Sequence, residues 1–288
     1  RRSKNPKIQN PLSINTLMII FEKPFISKFM QNTIASLKIP VLRNSAVEEM
    51  DLVEDLIFVD EDEFVDKFRA LDEKLLYNVS ENSLGWILEH LDVNGFTKMI
   101  DLFKDKVKFR KLLASQYPDY FFKAVPLEEL KTLDTSEIPF PVVIKAARGF
   151  FSISVHEVHN EEEWVKVVDD IFEEIQKVEG VFPIDVLDSE TFILEELIEG
   201  EEYAVDMYYN SKGKPVILNI LKHEFAFSGD TRDRVYFTSG NVVERVRGPL
   251  LKTLQIMGKA SGVKNMPFHI ELRITNSKTP DESERLKV

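Results

Sequence analysis

The sequence contains no cysteine among its 288 residues. This absence excludes disulfide bonds, thiolate ligands to a metal and a cysteine nucleophile. Long apolar runs are missing as well. The longest one near the start, residues 17–21, is too short to span a bilayer or to form the core of a secretory signal. We therefore predict a cytoplasmic protein, noting that the sequence begins with Arg1 rather than methionine.

Basic residues are scarce relative to acidic ones. The chain has 37 Lys and Arg against 49 Asp and Glu, a formal net charge of −12. A general nucleic-acid or membrane-surface binder needs the opposite balance, because it neutralises phosphates with cations, so both classes are excluded. A local basic pocket for a nucleotide remains open. The 43% hydrophobic content supplies enough apolar material for at least two compact domains.

The first third of the chain alternates short apolar segments with helix-like acidic ones, which predicts a parallel α/β sheet. The apolar segments are residues 16–21, 39–42, 56–59 and 74–78. The glycine fingerprint of a dinucleotide site does not follow the first of them, where Glu22, Lys23 and Pro24 stand instead. An NAD-dependent enzyme is therefore disfavoured. This N-terminal unit is expected to end near Gly95, at a turn signal.

The rest of the chain predicts several strands and one well-marked helix. Strands are expected at residues 139–144, 192–196, 203–209, 215–221 and 268–274. The helix begins after Asn160, with Glu163 at the capping-box position. Its apolar residues recur at helical spacing from Trp164 to Val178, which indicates core packing rather than a cofactor site.

Lys145 is the first residue that suggests chemistry. It ends an apolar strand and is followed by a small-residue turn containing Arg148, Gly149 and Ser152. An ammonium beside a turn with approachable backbone N–H groups suits a phosphate. Taken alone, a surface lysine beside an ordinary loop is the commoner explanation.

An acidic hairpin, residues 192–203, is the second feature. Glu195, Glu196, Leu197 and Ile198 could offer adenine main-chain groups and a carboxylate, and Glu202 could accept hydrogen bonds from ribose hydroxyls. The alternative is a plain acidic turn. The third feature is the alternation of residues 268–274, which is expected to put His269, Glu271 and Arg273 on one face of a strand. Glu271 suits Mg²⁺ there, and a solvated Glu–Arg pair is the alternative.

The order and spacing of these features resemble the ATP-grasp superfamily, in particular its carboxylate–amine ligases, over about residues 97–275. By that resemblance Lys106 and Lys145 are the two nucleotide lysines, and Arg148, Gly149 and Ser152 belong to the phosphate loop. The same resemblance makes residues 195–198 the adenine hinge, Glu202 the ribose carboxylate and Glu271 the first metal acid. It further implies Lys222 near the γ-phosphate. Arg232, Arg234 and Arg273 are candidates to grip substrate, and an exposed charged loop is the alternative for residues 223–234.

The resemblance implies an α/β (α+β) protein with two domains. Residues 1–95 would form a parallel α/β pre-ATP-grasp domain, and residues 96–288 a two-subdomain ATP-grasp fold. The lid would span about 110–187 and the core 188–288. The implied activity is an ADP-forming C–N ligase using ATP and Mg²⁺, with Mn²⁺ as a substitute. Its partners would be a small carboxylate and an amine, with no nucleic acid or membrane partner. A homodimer stays open.

Two departures keep other functions open. The phosphate loop carries Phe150 and Phe151 where many relatives have glycines. The family's second metal-binding strand is expected just where the chain reaches Val288, so the core subdomain is expected to be incomplete. One alternative is therefore an ATP-binding or regulatory protein without catalysis. Another is a phosphotransferase acting on a hydroxyl, which would release a stable phosphorylated product.

Overall fold

The structure is a computed structural model that describes residues 17–72, 74–91, 95–148, 155–178, 188–225, 235–275 and 286–287. The chain divides into two units, Arg1–Thr97 and Lys98–Val288. The domain boundaries expected from the sequence, including those of the lid and core subdomains, stay predictions. Within the described residues, no helix combines the length and apolar character that crossing a membrane would require.

The first unit contains a four-stranded sheet whose pairs are all parallel, as the alternating segments predicted. Its strands, β1 (Leu17–Ile20), β2 (Pro40–Leu42), β3 (Ile57–Val59) and β4 (Leu75–Asn78), lie in the order β3-β2-β1-β4. The helices are α1 (Lys28–Leu37), α2 (Ser45–Glu49), α3 (Glu61–Ala70) and α4 (Leu84–His90). Apolar strands buried on both faces are typical of parallel sheets.

The spacing of Phe25, Phe29, Ile34 and Leu37 predicts one apolar helical face, and the α1 helix departs from that prediction. Ser27 caps its first turn by accepting a hydrogen bond from the Met30 amide, and Ile34 is buried as its spacing indicated. Phe29 is 83% exposed, so it does not share the buried face of Ile34. Helical spacing alone does not decide which of several apolar stripes is covered.

Two further helices lead into the second unit, α5 (Phe96–Lys104) and α6 (Lys106–Leu113). A four-stranded antiparallel sheet follows in the order β5-β8-β6-β7, with α7 (Glu161–Val178) packed on one face. The strands are β5 (Phe122–Pro126), β6 (Val142–Arg148), β7 (His156–Val158) and β8 (Asp188–Glu196). The predicted cap at Asn160 is confirmed, because the Glu163 amide donates to Asn160 Oδ1 at 2.9 Å. The Glu163 carboxylate accepts from the His159 amide at 2.9 Å, one residue before the position that a capping box uses.

A five-stranded antiparallel sheet in the order β11-β10-β9-β12-β13 completes the second unit. Its elements are β9 (Glu201–Tyr209), β10 (Pro215–Glu224), β11 (Val235–Phe237), α8 (Gly240–Ser261), β12 (Met266–Ile274) and β13 (Leu286–Lys287). The α8 helix packs closely on one face. Gly258 permits this approach, because a Cβ there would lie 2.5 Å from the Tyr209 ring. The Tyr209 hydroxyl donates to the Leu254 carbonyl at 2.6 Å.

The α6 helix contacts both sheets of the second unit. Val107, near its start, packs with Ala147 of β6 and Ile193 of β8. Leu113, at its end, belongs to the apolar core under α8. Since α7 covers the other face of the four-stranded sheet, α6 lies on the face that carries Lys145 and Glu195. The fold thus brings the first turns of α6 to the candidate site.

Candidate functional site

Strand alternation separates the core from the site in the four-stranded sheet. Val142, Ile144 and Ala146 of β6 pack into the core under α7. The intervening Lys145 therefore projects from the opposite face, where its Nζ lies 2.5 Å from Oε2 of Glu195 on β8. Phe192 and Leu194 alternate with Glu195 in the same way. The sequence predicted both residues, and the structure brings them into direct contact.

Glu195 is a buried carboxylate held by two cations. Its side chain is 2% exposed; Lys145 contacts one oxygen and Nε of Arg110, on α6, donates to the other. Burial by itself would raise the pKa of the carboxyl, but the charges of Lys145 and Arg110 outweigh it and lower the pKa to about 2. Glu195 is therefore ionised at neutral pH, and it keeps both cations close to the sheet.

Lys106 begins α6 beside this group. Asp105 caps the helix by accepting a hydrogen bond from the Lys108 amide at 3.0 Å. Burial lowers the pKa of Lys106 to about 7, and the neighbouring Lys145 ammonium acts in the same direction. A lysine in this state gains charge readily when an anion arrives. The structure thus collects Lys106, Lys145 and Arg110 at one end of the sheet.

Arg148 ends β6 and is held by carboxylates from the helices. Its guanidinium contacts Asp101 of α5 and lies 3.7 Å from Oδ2 of Asp105. Lys108 also binds Asp101, at 2.6 Å, and the pKa of that carboxyl is lowered because these partners outweigh the effect of burial. Gly149 and Ser152, predicted for the phosphate loop, lie outside the described residues.

The hinge between the two sheets is fixed from both sides. The amides of Glu196 and Leu197 donate to the carbonyls of Phe121 and Pro141, each at 3.1 Å. From the other sheet, Arg273 of β12 donates to the Ile198 carbonyl at 3.0 Å. Gly200 fits tightly here, since a Cβ would lie 2.2 Å from the Ile274 carbonyl oxygen. Residues 195–198, predicted to bind adenine, therefore form a fixed edge next to both charged groups.

Charged side chains from three strands meet on one face of the five-stranded sheet. Oε1 of Glu202 lies 2.8 Å from Nδ1 of His223, and its Oε2 accepts a hydrogen bond from Nε of Arg273 at 2.7 Å. Burial would raise the pKa of Glu202, but its hydrogen bonds to His223 and Arg273 lower it. The predicted alternation of β12 is confirmed, because Leu272 and Ile274 enter the core under α8 and Arg273 does not.

This cluster offers a donor set for a divalent cation. One ligand atom each from Glu202, His223 and Glu271 lie within 4.8 Å of one another. Carboxylate oxygens suit both Mg²⁺ and Mn²⁺. The residues present therefore fit the predicted metal at Glu271.

Lys222 is not brought together with these groups. Its Nζ lies 2.8 Å from Glu201 and 2.9 Å from Glu224, on the face that carries Tyr203 and α8. A β-bulge between Ile217 and Asn219 shifts the alternation of β10 by one residue. Its γ-phosphate role stays a prediction. Arg232 and Arg234, the predicted substrate arginines, lie outside the described residues.

Two residues of the site were not among the predicted ones. Arg110 follows Lys106 by four positions on α6, so helical spacing could have placed both on one face. His223 reaches the site face because of the β10 bulge, and no residue type in that strand predicts a bulge there. The charges of Glu195, Arg110 and Arg273 all influence Tyr120, whose pKa burial raises. Tyr120 lies beside Arg110, whose guanidinium carbon is 4.7 Å from the centroid of its ring.

The comparisons with known proteins agree with this geometry. A model of the ATP-grasp domain matches residues 138–281. An L-amino acid ligase from Bacillus licheniformis superposes with a TM-score of 0.66 and 18% identity, over 96% of this chain and 68% of that one. A biotin carboxylase from Campylobacter jejuni gives a TM-score of 0.59 and 14% identity, over 90% and 62% of the two chains.

A third similar structure is a D-alanine–D-alanine ligase from Bacillus anthracis complexed with ATP. Its TM-score is 0.52 at 16% identity, over 91% of this chain and 82% of the ligase. No curated protein sequence matches significantly. The chain spans only about two thirds of the length of the first two structures. At such low identities these likenesses establish the fold.

Proposed function

The chain belongs to the ATP-grasp family, and from that premise we propose that it binds ATP and activates a small carboxylate for attack by an amine. The proposal extends to the ADP-forming C–N ligase reaction and to Mg²⁺ as the accompanying cation. Its main support is one juxtaposition: the cations Lys106 and Lys145 lie at the first sheet, the Glu202 group lies at the second, and Arg273 joins Glu202 to the Ile198 carbonyl of the hinge.

The cations of the four-stranded sheet suit the phosphates. Lys145 pairs with Glu195 together with a second cation, Arg110, so positive charge is in excess there. Lys106 has its pKa lowered to about 7, and a nearby phosphate would favour its charged form. In the proposal these two lysines contact the α- and β-phosphates. The proposal also assigns Arg148 to the phosphates, together with Gly149 and Ser152, which lie outside the described residues. Charge neutralisation and positioning are the main contributions that phosphoryl transfer needs from a protein.

The hinge and the second sheet suit the nucleoside. Glu195, Glu196, Leu197 and Ile198 border adenine along an edge that hydrogen bonds fix in position. Glu202 accepts hydrogen bonds from the ribose hydroxyls, a role that fits an ionised carboxylate. In this arrangement Arg273 holds Glu202 and the Ile198 carbonyl in position. Its predicted contact with substrate stays a prediction.

Glu271, which lies beside Glu202 and His223, is the proposed site for the cation. When bound there, Mg²⁺ or Mn²⁺ would neutralise charge on the phosphate oxygens. The residues themselves supply the oriented donors and a fixed edge for the nucleotide. A carboxylate oxygen of the substrate attacks the γ-phosphorus and ADP leaves. An amine then attacks the resulting acyl phosphate, and inorganic phosphate leaves as the amide forms.

The test is ADP formation from ATP by the purified chain with a panel of amino acids and other small carboxylates, each with and without Mg²⁺. We expect ADP release that requires both the cation and one class of carboxylate, together with an amide product. ADP release with a stable phosphorylated hydroxyl would instead indicate a phosphotransferase. ATP binding without turnover for any acid would contradict the ligase proposal and leave a nucleotide-binding protein.

A further inference from the structure

Arg110 has no assigned role, yet it occupies the centre of the cationic group. It projects from α6 four residues after Lys106 and donates to Oε1 of Glu195. Its side chain is only 13% exposed, and its guanidinium carbon lies 4.7 Å from the centroid of the Tyr120 ring. A guanidinium that pairs with a carboxylate and stacks on an aromatic face is held in one orientation.

The charges explain what this arrangement achieves. If Lys145 were the sole cation on Glu195, the pair would be neutral and would give little attraction to a phosphate. With Arg110 on the other oxygen, the three groups carry a net charge of one positive unit, from two cations and one anion. The side chain of Lys145 is also more exposed than that of Arg110, at 24% against 13%. Its ammonium has three donors and can contact Glu195 and a ligand together.

We propose that Arg110 is a positioning residue for the nucleotide phosphates. It offsets the charge of Glu195 and holds that carboxylate in one orientation, so that Lys145 presents its positive charge to the ligand. Arg110 itself contacts Tyr120 and Glu195 rather than the phosphates. This inference rests on the proposed function, since it takes Lys145 to be a phosphate contact.

A purely structural ion pair would make a different prediction. In that case, removing Arg110 would lower the thermal stability of the chain but leave the ATP affinity of the folded variant unchanged. In the positioning role, the effect of Arg110 on affinity is transmitted by the negative charge of Glu195. Neutralising Glu195 should therefore remove the dependence of ATP binding on Arg110. A double-mutant cycle tests whether Glu195 transmits the effect.

The experiment measures the Kd for ATP by calorimetry on the full chain and on the variants Arg110→Gln, Glu195→Gln and the double variant. We expect Arg110→Gln to weaken ATP binding about tenfold in the wild-type background and less than about twofold in the Glu195→Gln background. Arg110→Lys, which keeps the charge, should bind within about threefold of wild type. Lys111→Gln removes an equal charge from an exposed position of the same helix and should have no effect.

Two results would overturn the inference: a Kd for Arg110→Gln within twofold of wild type, or an equal loss in both backgrounds. If Arg110→Gln fails to fold, Glu195→Gln and the double variant still decide, because neither leaves Glu195 charged without Arg110. A large difference between those two would reject the positioning role. Failure of the wild-type chain to bind ATP would instead contradict the proposed function, so the two failures are distinguishable.

Discussion

The two sheets of the second unit hold their charged side chains in opposite ways. On the four-stranded sheet, one buried acid, Glu195, is surrounded by cations from β6 and α6. On the five-stranded sheet, the acids Glu202 and Glu271 lie with one arginine and one histidine on a more accessible face. The first arrangement carries excess positive charge, and the second offers carboxylate oxygens.

This difference suggests that the two sheets bind chemically different parts of one nucleotide. Phosphates need cations, whereas ribose hydroxyls and a divalent cation need carboxylates. The hinge at residues 195–198 joins the sheets within a few residues of chain, so neither group requires a long connection. If the comparison is right, substitutions on the first sheet should affect phosphate-dependent affinity most, and those on the second should affect recognition of the sugar.

The largest effect is expected from Lys145→Ala. Loss of a charge-assisted contact to a phosphate should weaken ATP binding by about a hundredfold, or roughly 2.7 kcal/mol. Arg110 still pairs with Glu195 in this variant, so a cooperative thermal unfolding transition should remain. The matched control is Lys131→Ala, an exposed lysine that pairs with Asp169 at 2.9 Å near α7. Equal affinities of Lys145→Ala and wild type, by calorimetry, would remove Lys145 from the site.

The pH dependence of ATP binding should report Lys106. Its pKa is lowered to about 7 in the free protein, and a bound phosphate favours the charged form and raises it again. Binding therefore takes up a proton above pH 7. Affinity should fall by up to about tenfold per pH unit from pH 7 until the pKa of the bound form is reached. Below pH 7 Lys106 is already charged, and it adds no further dependence.

The control for this titration is Lys106→Arg, whose guanidinium stays protonated throughout the range. Its affinity should stay level between pH 7 and pH 9, where the wild-type affinity declines. A wild-type profile as flat as that of the arginine variant would show that Lys106 does not change its charge on binding. Proton uptake measured by calorimetry in buffers of different ionisation enthalpy provides an independent check.

Local patterns predicted those parts of the structure that depend on neighbours in sequence. The cap at Asn160 and the alternation of β12 both follow from backbone geometry, and both were confirmed. The order of the motifs identified the family, because Lys145, the acidic hairpin and Glu271 keep their spacing. The exposure of Phe29 was not predicted, because helical spacing shows which apolar residues share a face but not whether that face is buried.

Contacts between distant segments could not be predicted in this way. Arg110 and Glu195 are 85 positions apart, and nothing local to either residue indicates that they pair. In β10, unbroken alternation from Ile217, whose side chain packs against the core, would direct Lys222 to the site face. The bulge after Ile217 reverses this, so that His223 reaches Glu202 instead. The one extra residue of the bulge therefore brings His223, instead of Lys222, to the site face.

The smallest effect is expected on the second sheet, from Glu202→Gln. A carboxylate that accepts from ribose hydroxyls contributes about 1 kcal/mol, so ATP should bind roughly fivefold more weakly to the variant. The loss should disappear with 2′,3′-dideoxy-ATP, which lacks those hydroxyls and should bind the variant and wild type equally. Asp206→Asn is the matched control, because Asp206 lies four residues further along β9 on the same face and pairs with His269 at 2.8 Å.

Comparing the affinities for ATP and dideoxy-ATP distinguishes the roles of the two sheets. Lys145→Ala should weaken ATP and dideoxy-ATP by the same factor, since both carry the triphosphate. Glu202→Gln should distinguish them, since only ATP carries the ribose hydroxyls. If Glu202→Gln weakened both nucleotides equally, its carboxylate would be acting on the phosphates or their cation. The acidic group of β9, β10 and β12 would then belong to the metal rather than to the sugar, and His223 would become the next residue to substitute.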